Sequence, residues 1–176
     1  MKTITIDLYS AAELEEQHPE GFKRAHEDYV QNLWHSGWGA ESITLFLREI
    51  EGEEGSPLAG RPLEWDLYRG YVRYADGRLT GDEMGALADL YPELGQDGGP
   101  WLRMDGGVVR SADERDLSDK EAEAVFQINK VLYDMYARML ENARDQEEHL
   151  ESVEYFLDAC EANEYTFEAG GQMRNV

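Results

Sequence analysis

Six carboxylates near the C-terminal end of the chain have a spacing suited to one kind of chemistry. Glu147, Glu151, Glu154, Asp158 and Glu161 recur at intervals of four and three residues, with Glu148 beside them. On a helix those intervals place side chains on one face. A row of carboxylates attracts cations, above all the Lys and Arg side chains of another protein. With Asp145, the stretch Asp145–Glu161 holds seven acids and no Lys or Arg. Surface helices usually offset such repulsion with Glu–Lys pairs one turn apart, and this stretch omits them.

Other chemistry finds little support. The chain has no Gly-rich phosphate loop, no paired-histidine zinc motif, no Ser nucleophile elbow and no EF-hand loop. Its four histidines are His18, His26, His35 and His149. Asp145 and His149, one turn apart and next to Glu148, come nearest to a metal set. A di-iron bundle needs a Glu three residues before a His on each of two helices; here that position is Gln146, and there is no second copy. Solvated histidines and no metal or cofactor are the expectation. The single Cys160 leaves no partner for an internal disulfide or a Cys-based zinc site and reads as a small buried hydrophobe. With 38 acids in the chain, some carboxylate pair always falls at a glycosidase distance, so such a pair is no signal. No enzyme is expected. Trp34, Trp38, Trp65 and Trp101 sit near turns, as core anchors or as an exposed contact surface of the kind favoured at interfaces.

The elements that position the carboxylates follow from periodicity. Leu150, Val153, Leu157 and Cys160 predict one buried seam along a single helix, Asp145–Glu161, with the acids one residue, or about 100°, away. A long helix over about Asp119–Ala143 precedes it. Ser118 and Glu121 form its capping box, Val125, Ile128, Leu132, Met135, Met139 and Ala143 its inner face, and Phe126, Tyr133, Tyr136 and Leu140 widen that face. The two helices are expected to form a helical hairpin or one bent helix.

Upstream, Thr3–Tyr9 alternates as a strand. Ser10 with Glu13 caps a helix that Pro19 interrupts, and Glu20–Trp34 resumes it with Phe22, Ala25, Tyr29 and Leu33 inward. Gly37–Gly39 is a turn before a third helix, Ala40–Glu51, which ends in the acidic run Glu49–Glu54. Leu63–Tyr74 reads as a strand with a bulge at Gly70, and Asp76–Gly77 as a turn before Arg78–Leu79. Thr80 with Glu83 caps a short helix that ends before Pro92. Short strands flank Asp105–Gly107, Gly95–Gly99 is a loop, Asp113–Asp116 a linker, and Glu164–Glu168 a last strand. The sum is one α+β domain over residues 1–176, with a small, mainly antiparallel sheet, helices packed on one face and a long C-terminal helical hairpin.

The charge is the outlier. The chain has 38 acids against 16 bases, a net charge of −22. By segment it is −8 in residues 1–60, −5 in 61–116 and −9 in 117–176, so it is spread over the body of the chain. Ten Tyr, five Phe and four Trp argue against a disordered acidic tail. Direct binding to DNA or RNA needs a basic footprint that is missing. Neither a signal peptide nor a membrane span is visible, and a cytoplasmic location is expected.

Three segments carry a resemblance: "TIDLYSAAELEEQHPEGFKRAHEDY" (Thr3–Tyr29), "PLEWDLYRGYVRY" (Pro62–Tyr74) and "EANEYTFEAGG" (Glu161–Gly171). Together they are similar to a loose family of small acidic proteins encoded by bacteriophages and prophages. The shared patterns are framework, so no functional residue is carried over. The resemblance implies a phage accessory protein of anti-restriction or anti-CRISPR type, acting inside the host cell on a basic nucleic-acid-binding protein or complex. Five carboxylates along ~21 Å of helix, one per ~5 Å, come within a factor of two of the ~3.4 Å axial spacing of phosphates on one DNA strand. The expected contact residues are Glu147, Glu148, Glu151, Glu154, Asp158 and Glu161. The alternative is a non-catalytic adaptor or antitoxin-like module that uses exposed aromatics.

Overall fold

The three capping boxes expected at Ser10, Thr80 and Ser118 each start a helix. The computed structural model describes residues 6–95, 99–113 and 116–174. In it the Ser10 hydroxyl accepts from the Glu13 amide, and the Glu13 carboxylate accepts in return from the Ser10 amide at 2.8 Å. Thr80 with Glu83 and Ser118 with Glu121 repeat the arrangement. Each box satisfies amides that a helix start leaves without partners. The helices are α1 (Ala11–Gln17), α2 (Pro19–His35), α3 (Trp38–Glu54), α4 (Gly81–Leu90), α5 (Asp119–Leu150) and α6 (Val153–Ala162). The strands are β1 (Leu63–Asp66), β2 (Tyr71–Tyr74), β3 (Gly77–Arg78), β4 (Leu102–Asp105), β5 (Val108–Ser111), β6 (Thr166–Phe167) and β7 (Met173–Arg174). The fold class is α+β.

The β structure is divided among three small antiparallel sheets, ordered β1-β2, β3-β4-β5 and β6-β7. The chain divides into two compact units: Met1–Ile43 with Asp145–Val176, and Thr44–Arg144. The division falls inside α3 and inside α5.

The discontinuous unit is built on α1, α2, α6 and the β6-β7 hairpin. Leu14, Phe22, Ala25, Phe156, Cys160 and Phe167 form its buried cluster, with Tyr9, Tyr29, Leu157 and Tyr165 packed against it. Phe156 is the hub: the rings of Phe22, Tyr29 and Phe167 lie 5.2–6.0 Å from it. Two glycines let backbone touch backbone. A Cβ on Gly21 of α2 would lie 2.2 Å from the Ala169 carbonyl oxygen, and one on Gly171 (φ 89°) would lie 2.2 Å from that of Gly21. Thr3–Thr5 of the expected first strand lie outside the described residues, and of the rest only Tyr9 pairs, as an isolated bridge to Phe167.

In the contiguous unit, α5 buries the expected face: Val125, Ile128, Leu132, Met135, Met139 and Ala143. Two polar side chains dock it on strands. The Asn129 amide pairs with both the N–H and the carbonyl of Val109, at 2.6 and 2.9 Å, as a neighbouring strand would. The Tyr136 hydroxyl accepts from the Tyr74 amide at 3.2 Å.

The structure corrects several boundaries. Leu63–Tyr74 is a β1-β2 hairpin, in register Leu63↔Tyr74, that turns through Leu67–Gly70; it is not one bulged strand. Gly70, at φ 73°, allows the turn a backbone that side chains disfavour. Trp38 and Gly39 belong to α3, not to a turn, and the helix continues to Glu54. Phe126 and Tyr133 do not widen the buried face of α5; they remain 61% and 74% exposed. Gln96–Gly98 and Glu114–Arg115, in the expected loop and linker, lie outside the described residues.

Candidate partner-binding surface

The carboxylate stripe does not lie on one helix. α5 ends at Leu150 and α6 starts at Val153. Ser152 is the cause. Its backbone is extended (φ −70°, ψ 152°) and its hydroxyl accepts from the Tyr155 amide at 3.1 Å, so it caps a new helix instead of continuing the old one. Burial explains why the break is tolerated. On an unbroken helix Phe156, six residues after Leu150, would be turned about 120° away from it. With the break both are buried, and Val153, expected in the seam, is 40% exposed.

The six predicted residues therefore separate into two groups. Glu148 is exposed on α5, and Glu154, Asp158 and Glu161 are exposed at intervals of four and three on α6. Glu147 and Glu151 are partly buried. Glu151 is structural: its carboxylate accepts from the indole N–H of Trp34 at 2.6 Å. Its backbone carbonyl is 2.9 Å from His26 Nε2; a carbonyl only accepts, so that nitrogen carries the proton. Two α2 side chains thus clamp the connection between α5 and α6. Neither role is visible in the sequence, although Trp34 and His26, eight residues apart, share a face of α2.

Aromatic rings border this acidic surface. Trp38 stacks on Tyr155 with ring centres 6.2 Å apart, and His149 lies edge-on to Tyr155 at 5.1 Å. Of the remaining tryptophans, Trp65 donates to Thr44 Oγ1 at 3.1 Å, and Trp101 is exposed. Burial pushes the Cys160 thiol up to about 11, which keeps it protonated and inert.

The other histidines have structural contacts. His18 packs edge-on against Tyr9, and the His35 ring bonds the Gln31 carbonyl at 2.8 Å. Among the described residues, no three His, Cys, Asp or Glu side chains are grouped to hold a metal ion. No helix among them is long and apolar enough to cross a membrane.

Charge sets this unit apart. Met1–Ile43 with Asp145–Val176 has 17 acids against 4 bases, a net charge of −13. Its ion pairs among the described residues are Lys23–Glu27 and Arg174–Glu168. Glu148, Glu154, Asp158 and Glu161 take part in neither. What this surface can do chemically is neutralise cations.

Comparison with known proteins returns no match, whether to family models, curated proteins or solved structures.

Proposed function

We propose that the protein is a non-enzymatic inhibitor of phage type. It occupies a basic nucleic-acid-binding surface on a host defence complex, a CRISPR effector or a restriction enzyme, as an acidic mimic of the nucleic-acid backbone. The observation that carries this reading is the row of exposed carboxylates on α6, which take part in no ion pair among the described residues. Glu154, Asp158 and Glu161 span about 10 Å, one carboxylate per ~5 Å, against ~3.4 Å per phosphate along one DNA strand. Glu148, near the end of α5, is also exposed. The excess of 13 negative charges in the same unit steers a basic partner to it.

An adaptor reading draws on the exposed aromatics, Trp38, Trp101 and Tyr68. The two readings separate in one experiment. The tagged protein is used to capture partners from host lysate at low and at high salt, beside Glu154→Lys/Asp158→Lys and Trp101→Ala. Mimicry predicts a basic nucleic-acid-binding protein that is lost at high salt and in the charge-reversed variant. An adaptor would lose its partner with Trp101→Ala alone. Recovery of no basic or nucleic-acid-binding protein at low salt overturns the proposal.

A further inference from the structure

We draw no further inference here: the strongest candidate, the open cleft beside α5 in Thr44–Arg144 lined by Tyr71, Arg73, Tyr133 and Tyr136, has its arginine already paired with Glu64, and nothing in the structure shows what covers it.

Discussion

Two regions of this chain deal with the same excess of acid in opposite ways. Thr44–Arg144 has 21 acids and 12 bases, a net charge of −9, and it builds its arginines into the structure. Arg61 is buried. It binds both carboxylate oxygens of Glu83, at 3.0 and 3.1 Å, and also the carbonyls of Ala75 and Gly77. Arg48 pairs with the buried Glu51, which also accepts from the Tyr74 hydroxyl at 2.6 Å and the Gly60 amide at 3.3 Å. Arg73 pairs with Glu64 and Arg138 with Glu54. The other unit, at −13, has few bases and leaves its α6 carboxylates to solvent. The difference teaches that an acidic composition has two meanings in one chain. In Thr44–Arg144 many carboxylates are internal partners. On α6 they are available to something outside the molecule.

Substitutions can break or sharpen this contrast. The largest effect belongs to Arg61→Ala, which removes a partner of the Glu83 carboxylate and of the Ala75, Gly77 and Arg78 carbonyls. A loss of about 3–5 kcal/mol is expected, read as a lower urea midpoint. Next comes a paired test within the acidic stretch. Glu151→Ala removes the acceptor of the Trp34 indole and should cost about 1–3 kcal/mol. Glu154→Ala, three residues on, should stay within about 0.5 kcal/mol. Equal costs in thermal or urea melts would erase the distinction between structural and available acids.

The smallest effect is a pH dependence. Burial alone pushes the Glu83 carboxyl up, but the Thr80 amide, the Arg61 guanidinium and the Thr80 hydroxyl outweigh it and hold the group below its ordinary value of 4.5. A carboxyl depressed by folding stabilises the protein above its unfolded pKa, and that contribution is lost as pH falls through the folded one. The stability advantage of the wild-type chain over Glu83→Gln should therefore be full at pH 7 and shrink below about pH 4.5 in urea titrations.

Local signals were legible in the sequence and long-range ones were not. The three capping boxes, the stop before Pro19 and the six-residue inner face of α5 are written in neighbouring residues, so periodicity and caps recover them. The break at Ser152 is invisible to periodicity, because acids and apolar residues keep three–four spacing straight across it. Ser152 caps the new helix, and the break is tolerated because Phe156 then meets Phe22, Tyr29 and Phe167, contacts made far along the chain. Glu51 misleads for the same reason. In the sequence it belongs to an exposed-looking acidic run, and only the fold brings Arg48, Tyr74 and Gly60 around it. Of the six carboxylates read as a contact row, Glu148, Glu154, Asp158 and Glu161 remain available, while Glu151 serves the joint between two helices.

Competition measures the central claim most directly. A partner captured from lysate is incubated with its labelled nucleic acid, and the protein is titrated in at low salt, as wild type and as Glu154→Lys/Asp158→Lys. The mimic account predicts that wild type displaces the nucleic acid completely and that the charge-reversed variant, equally well folded, does not. A stable ternary complex of partner, nucleic acid and wild-type protein would contradict it.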